Sequence, residues 1–129
     1  MILVDTSVIV AWLDGAHKHH KACTDALDKW AARDTLAVSS VTYSELAAGA
    51  RTRESVDEAL QGFERIDLDF DSAWRAGAAF RQSRPGSEVK SVLPDFFIRA
   101  QAAVLNLPHL TNDRRRIKSF LDVDFEFVD

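Results

Sequence analysis

The chain has 129 residues, 47% of them hydrophobic, and a formal net charge of −4. This length and composition suit one globular domain, which we place over residues 1–129. The negative charge excludes bulk electrostatic attraction to nucleic acid, so any such contact must be local. The lone Cys23 excludes an internal disulfide. Because residues 1–10 lack the basic segment of a signal peptide and no apolar run is long enough to span a membrane, we expect a cytoplasmic protein with no membrane partner.

The hydrophobic pattern predicts strands that alternate with helices. An apolar run at Ile2–Val4 predicts a strand, and residues Thr6–Leu13 have the helical spacing of a helix that follows it directly. Further helices are predicted over 18–32, 41–50, 55–63, from an Asp71 cap to 83, 94–106 and 115–121. Further strands are predicted at 36–38, 66–68, a segment ending at 110, and 125–128. This alternation predicts an α/β sandwich around a mainly parallel sheet.

Four carboxylates lie where a predicted strand ends or a helix begins. Asp5 directly follows the first strand, and Asp113 comes shortly after residues 109–111. Glu45 and Asp95 lie in the first turns of their helices. Since carboxyl ends of parallel strands and helix amino termini share one rim, we expect the four side chains to converge. Their mutual repulsion must be neutralised, and hard divalent cations with oxygen ligands, Mg²⁺ or Mn²⁺ rather than zinc, are the usual solution.

Each acid also has a structural interpretation. Glu45 could be the reciprocal member of a capping box with Thr42, and Asp95 could be stabilised by the helix dipole and pair with Arg99. Two acids could cap the helices that follow them, Asp5 and Asp113. Asp5 fits this interpretation least, because an acid at the end of a buried strand needs a cap, a cation or water.

Four short segments carry a resemblance to a known family: Ile2-Leu3-Val4-Asp5-Thr6-Ser7-Val8, Ser44-Glu45-Leu46, Leu93-Pro94-Asp95 with Ile98 and Ala102, and Leu110-Thr111-Asn112-Asp113. In this order they resemble a PIN domain, and the small size of the chain resembles the VapC-type ribonuclease toxins of prokaryotic toxin–antitoxin pairs. The resemblance implies a PIN-like three-layer α/β/α sandwich. Phe96 and Phe97 depart from the smaller residues that many relatives have there, so substrate choice is not carried over.

The resemblance implies a metal-dependent endoribonuclease that uses Mg²⁺ or Mn²⁺ and leaves a 5′-phosphate and a 3′-hydroxyl. By this resemblance the catalytic and metal-binding residues are Asp5, Glu45, Asp95 and Asp113. Thr6 and Thr111 are then hydroxyls near the metal and the phosphate, and Asn112 supports the last acid. The implied partners are an RNA substrate, such as tRNA or rRNA, a cognate antitoxin and a second copy of the chain.

Basic residues follow the last acid and are candidate RNA contacts: Arg114, Arg115, Arg116 and Lys118. A solvated helix face explains such a run equally well. Arg99, one turn after Asp95, is better explained as an ion-pair partner that positions this acid.

Histidines and aromatic residues receive structural interpretations. His17, His19 and His20 lie among lysines without carboxylate or cysteine ligands at zinc-site spacing, so we predict a solvated helix start. Most aromatic residues fall on apolar helical stripes and are predicted to lie in the core: Trp12, Trp30, Phe63, Trp74, Phe80, Phe96 and Phe97. Some of them would instead form the homodimer face and antitoxin groove that the resemblance implies.

Three other functions compete with the nuclease. A haloacid-dehalogenase-type phosphatase needs a second acid two residues after Asp5, where the chain has Ser7. A receiver-like magnesium pocket needs adjacent acids after the first strand and an acceptor Asp after a central one, for which residues 66–69 match loosely. The serious alternative is a non-catalytic PIN-like module that binds RNA or protein, and the presence of all four acids argues against it.

Overall fold

Five parallel strands form one sheet in the computed structural model, which describes residues 1–83, 92–114 and 121–128. The strands are β1 (Ile2–Val4), β2 (Leu36–Ser39), β3 (Glu64–Ile66), β4 (His109–Thr111) and β5 (Phe125–Phe127). Their order across the sheet is β3-β2-β1-β4-β5, and each neighbouring pair is parallel. The predicted α/β fold around a parallel sheet is confirmed, and β1 lies at its centre.

Six helices cover the sheet in the described part of the chain. They are α1 (Thr6–Leu13), α2 (His20–Ala31), α3 (Ser40–Gly49), α4 (Arg53–Ala59), α5 (Phe70–Ser83) and α6 (Pro94–Leu105). The predicted helix over 115–121 lies outside the described residues, except for Leu121. Within the described ranges, no helix has the length and hydropathy that crossing a membrane would require.

The two faces of the sheet carry different cores, and this makes the fold three-layered. Alternate residues of β1 point to opposite faces, as the two-residue period of a strand requires. Ile2 and Val4 pack with buried residues of α1, α2 and α4, whereas Leu3 packs against Ile98 and Ala102 of α6. Helix α5 packs on the outside of α6, where Phe96 is fully buried. The predicted α/β/α sandwich is confirmed.

Strand β3 begins two residues earlier than the sequence pattern indicates. Its pairing with β2 joins Ala37 to Glu64 and Ser39 to Ile66, whereas the apolar pattern favoured residues 66–68. Glu64 and Arg65 are exposed because β3 is an edge strand, and charged residues are common on such edges. Hydrophobicity therefore does not mark where this strand starts.

Helices α2 and α5 start at residues other than those predicted, and α3 and α4 begin one and two residues before their predicted starts. The side chain of Asp69, rather than Asp71, accepts a hydrogen bond from the Ser72 backbone N–H (3.1 Å) at the start of α5. Helix α2 begins at His20 instead of residue 18, because the preceding residues form turns. Side-chain hydrogen bonds and turns compete with helical structure at such starts. The spacing of apolar residues alone therefore does not identify the first residue of the helix.

A fully buried glutamine connects the sheet to α6. Gln101 accepts a hydrogen bond from the Ser39 hydroxyl at the end of β2, and its Nε2 donates to the Asp67 carbonyl (3.1 Å) after β3. Both partners lie at the carboxyl edge of the sheet. Gln101 thus fixes this edge against the helix that carries Asp95.

We expect Gln101→Leu to lower the free energy of unfolding by about 1–3 kcal/mol, because the Ser39 hydroxyl and the Asp67 carbonyl would lose a partner in a buried setting. Urea denaturation measures this loss. The matched control is Gln82→Leu on α5, where the side chain is exposed and the expected change is within about 0.5 kcal/mol. Equal unfolding midpoints for the two variants would contradict the proposed connection.

Candidate active site

A cleft of about 550 Å³ opens beside the carboxyl end of the sheet, and all four predicted acids line it: Asp5, Glu45, Asp95 and Asp113. They come from the loop after β1, from α3, from the first turn of α6 and from the loop after β4. The crevice outside the carboxyl ends of parallel strands is the usual ligand site of such folds. The structure thus brings the four acids to one cleft, and a catalytic role for them stays a prediction.

Asp5 is the most strongly held of the four acids. It is the N-cap of α1, and its Oδ2 accepts hydrogen bonds from the Ser7 backbone N–H (3.3 Å), the Ser7 hydroxyl (2.5 Å) and the Thr111 hydroxyl (3.1 Å). His109 Nε2 lies 3.6 Å from the other carboxylate oxygen. Burial raises the pKa of Asp5, but the charge and hydrogen bond of His109 and the two hydroxyl donors lower it to about 2. Asp5 is therefore ionised at neutral pH.

The loop after β4 is tied to the loop after β1. The Thr111 hydroxyl donates to Asp5 and accepts from the Asp113 backbone N–H (3.0 Å), while the Asn112 backbone N–H donates to the Ser7 hydroxyl (3.1 Å). Thr111 thus orients one acid and fixes the backbone of another. Asn112, predicted to support Asp113, fixes this loop through its backbone and lines the cleft.

Glu45 is held by a hydrogen bond from the first residue of α1. The Thr6 hydroxyl donates to Glu45 Oε1 (2.9 Å) and lies 2.9 Å from the Thr42 hydroxyl. The alternative capping box is wrong, since the N-cap of α3 is Ser39, whose hydroxyl accepts from the Val41 backbone N–H. Glu45 therefore lies beyond the first turn, where it is exposed to the cleft and held by Thr6.

Asp95 and Arg99 have different partners from the ones that their helical spacing indicated. Asp95 Oδ2 accepts from the Val92 backbone N–H (2.9 Å), which closes the start of α6. Arg99 makes its ion pair with Asp113 (3.5 Å). The Arg99 side chain is 8% exposed, and its NH1 group has no hydrogen-bond partner among the described residues. A buried cation thus lies within the acidic cleft.

The turn between α1 and α2 forms another wall of the cleft. His17, Lys18 and His19 line it, although the sequence favoured a solvated helix start. His17 Nδ1 accepts from the His19 backbone N–H (3.0 Å), and the two rings are 5.7 Å apart. His20 lies elsewhere, with Nδ1 3.0 Å from the Ala11 carbonyl oxygen. The sequence does not predict that this turn lines the cleft, because the position of the turn depends on where the end of α1 lies in the folded structure.

The basic run after Asp113 is only partly described. Arg114 donates to the Val128 carbonyl (2.7 Å), and its guanidinium lies 5.1 Å from the Phe127 ring centre. Arg115, Arg116 and Lys118 lie outside the described residues. As RNA contacts, all four stay predictions.

Two important residues were not among the predicted site residues, Ser7 and His109. Both hold Asp5, and both carried a sequence signal. Ser7 stands two residues after an acid at a helix start, where N-cap partners occur. His109 is a polar residue within a buried strand, which requires a partner.

The donor set of the cleft suits a hard divalent cation, since it consists of carboxylates with neighbouring hydroxyls. The carboxylates are spaced more widely than the ligands of a compact metal site. Within the described ranges, no three side chains of the His, Cys, Asp or Glu type are grouped closely enough to hold a metal ion as they stand. The types of donor atom, rather than their present spacing, are what fit Mg²⁺ or Mn²⁺.

Comparison with known proteins gives a family and a fold. A profile of the PIN domain family matches residues 2–126. One similar chain comes from the crystal structure of VapBC2 from Rickettsia felis bound to a DNA fragment of its promoter. It is 23% identical to this chain, with a TM-score of 0.74, and the match covers all of both chains. A toxin–antitoxin complex from Klebsiella pneumoniae is 24% identical, with a TM-score of 0.73, covering 93% of this chain and 92% of that one.

A third similar structure is Mycobacterium tuberculosis VapC20, a toxin that cleaves the sarcin-ricin loop. It is 15% identical, with a TM-score of 0.68, covering 95% of this chain and 97% of that one. At these identities the likeness shows the fold. No curated protein matches the sequence significantly.

Proposed function

Because this chain belongs to the PIN domain family, we propose that it is a metal-dependent endoribonuclease and the toxin of a toxin–antitoxin pair. The observation that carries this proposal is the position of four acids on one cleft at the carboxyl end of the sheet. We propose further that residues 1–129 act as a single domain in the cytoplasm, and that the products carry a 5′-phosphate and a 3′-hydroxyl. The toxin–antitoxin structures with the same fold support the choice.

In this proposal the acids Asp5, Glu45, Asp95 and Asp113 hold Mg²⁺ or Mn²⁺. Such an ion, when bound, polarises a phosphoryl oxygen and lowers the pKa of a bound water. The chain's own contribution is orientation. Thr111 and Ser7 fix the Asp5 carboxylate, and Thr6 fixes Glu45.

The experiment that tests the function is cleavage of structured and unstructured RNAs by wild type and Asp95→Asn, each with Mg²⁺, Mn²⁺ or a chelator. Asparagine keeps an oxygen that can accept the Val92 hydrogen bond, so α6 should start normally. We expect metal-dependent cutting by wild type and a loss on the order of 10²–10³-fold in the variant. The matched control, Asp71→Asn, removes an exposed acid from the first turn of α5 and should keep full activity.

The alternative function is a non-catalytic module that binds RNA or protein. The ion pair of Arg99 with Asp113 favours it, because this cation already neutralises part of the acidic charge. Folded wild type that binds Mg²⁺ or Mn²⁺, yet cuts nothing in a total RNA pool, would replace the nuclease by this module.

We propose an antitoxin as protein partner, and a groove of about 340 Å³ between α1 and the α3–α4 pair as its site. Val10, Leu13 and Leu46 line this groove. Val10 is 43% exposed and Leu13 is 46% exposed. An amphipathic segment can lay its apolar face in such a groove. Glu45 lines both this groove and the acidic cleft, so a basic side chain of the partner could reach the acids from there.

We propose a homodimer through the outer face of α5. Phe70 and Trp74 lie one helical turn apart and are 94% and 70% exposed, so the prediction that Trp74 lies in the core is wrong. Large exposed aromatic residues at this spacing are typical of a protein interface.

We expect Trp74→Glu to convert a wild-type dimer into a monomer, with a dissociation constant raised by about 10–100-fold, because a charge would replace an interface aromatic residue. Light scattering after size-exclusion chromatography measures the mass. The control is Leu105→Glu, which places the same charge on α6 at a residue 41% exposed. A monomeric wild type, or a variant that remains dimeric, would refute this interface.

A further inference from the structure

A groove of about 540 Å³, distinct from the one proposed for the antitoxin, lies beside the acidic cleft, between α2 and β5. One wall carries Lys18, Lys21 and Lys29, while Trp30 and Phe127 contribute aromatic surface. Lys18 lines both the acidic cleft and this groove. The two cavities are therefore neighbours that share one basic residue.

The groove offers positive charge in a chain whose net charge is −4. Lys21 is paired with Asp25 (2.7 Å), whereas no ion pair is recorded for Lys18 or Lys29 within the described ranges. These two lysines are eleven residues apart, so they lie at the two ends of the α2 wall. Their charges are available to an anionic ligand that runs along the helix.

The aromatic groups of the groove are partly open and are accompanied by cations. Phe127 is 44% exposed and stacks on Phe125 with ring centres 5.7 Å apart. The Arg114 guanidinium lies 5.1 Å from the Phe127 ring centre, and that of Arg33 lies 4.7 Å from the Trp30 ring centre. An aromatic surface beside a row of cations is the combination that binds single-stranded nucleic acid without base-specific contacts.

We propose that single-stranded RNA bound in the acidic cleft continues past Lys18 into this groove, which we name the α2–β5 groove. Backbone phosphates contact Lys18 and Lys29, and a base contacts the exposed ring of Phe127. This proposal rests on the proposed ribonuclease function and adds the path of the substrate outside the cleft. The cleft itself repels phosphates through its acids, so binding energy for a longer RNA must come from a basic surface next to it.

The test measures binding of labelled, unstructured RNAs of 4 and 12 nucleotides to the full chain in chelator, where no metal-dependent cutting occurs. The groove variant is Lys18→Gln with Lys29→Gln. The matched control is Arg75→Gln with Arg81→Gln, which removes the same charge from exposed positions of α5. Fluorescence anisotropy over a salt series gives the affinity and its salt dependence.

For the 12-nucleotide RNA, we expect the groove variant to bind about tenfold more weakly than the control. Its negative slope of log affinity against log salt should become shallower by about 1.4, since each of the two lost phosphate contacts on a single strand contributes about 0.7. Phe127→Leu should weaken binding about fivefold with an unchanged slope, because stacking is not ionic. With metal present, the groove variant should raise KM for the 12-nucleotide RNA.

Other outcomes would overturn the proposal in distinguishable ways. Equal affinities of the groove variant and the control, while wild type still cuts RNA, would refute the path and leave the ribonuclease intact. Tight binding of a polyglutamate peptide that depends on the lysines, together with an unchanged RNA affinity of Phe127→Leu, would assign the groove to an acidic protein segment. Wild type that neither binds nor cuts RNA would refute the path and the ribonuclease together.

Discussion

Replacing Asp5 by Asn should reduce RNA cleavage on the order of 10³-fold while leaving the protein folded. The carboxylate is ionised, because His109 and two hydroxyl donors hold its pKa at about 2 against the opposing effect of burial. Asparagine removes this charge and one of the proposed anionic ligands, yet it can still accept the N-cap hydrogen bond from Ser7. Initial cleavage rates at saturating Mg²⁺, beside circular dichroism of both proteins, measure the effect.

Asp28→Asn is the matched control for this substitution, because Asp28 is an exposed acid on α2 that does not line the cleft. It should cut RNA at the wild-type rate. Comparable rates for Asp5→Asn and wild type, in protein free of contaminating nuclease, would show that Asp5 is only the cap of α1. The cap interpretation would then be sufficient for this residue.

Much of the fold follows from the sequence because its signals are local. The run Ile2–Val4 is apolar without interruption since β1 is buried on both faces, and Pro94 marks the start of α6. The sequence pattern does not locate the start of the edge strand β3, because exposed Glu64 and Arg65 carry no hydrophobic signal. Its position depends on pairing with β2, which is a tertiary interaction.

The candidate site shows the same division between local and tertiary information. The acids could be placed at strand ends and helix starts, and parallel topology then explains why they share a rim. Their partners could not be assigned in this way. Arg99 is one turn from Asp95 in sequence, but Asp113 reaches it across the cleft from the loop after β4. The wall formed by His17 and Lys18 likewise depends on where the turn after α1 packs.

Arg99 supplies positive charge to the acidic cleft from within the protein. Its side chain is 8% exposed and lies 3.5 Å from Asp113, whose side chain is 19% exposed. A divalent cation in the cleft would compensate the same carboxylates. The arginine and such a cation would therefore stabilise the folded chain by overlapping electrostatic interactions, and the loss of one should increase the effect of the other.

We accordingly expect Arg99→Met to lower the free energy of unfolding by about 2–4 kcal/mol in chelator, because it removes one partner of a largely buried ion pair. Saturating Mg²⁺ should raise the Tm of this variant by more degrees than that of wild type, since binding to the folded state alone stabilises it and a cleft that has lost the Arg99 charge attracts the ion more strongly. Thermal unfolding with Mg²⁺, or with NaCl at equal ionic strength, measures both effects without reference to activity.

The double variant Arg99→Met with Asp113→Asn distinguishes charge compensation from simple packing by the arginine side chain. If charge is the cause, removing Asp113 as well should restore part of the stability lost in chelator and reduce the additional gain from Mg²⁺. If packing is the cause, the double variant should be no more stable than Arg99→Met, and Mg²⁺ should raise the Tm of wild type and Arg99→Met equally. That second pattern would assign Arg99 to the packing of α6 against Phe125, whose ring centre lies 5.9 Å from its guanidinium, and not to the charge balance of the cleft.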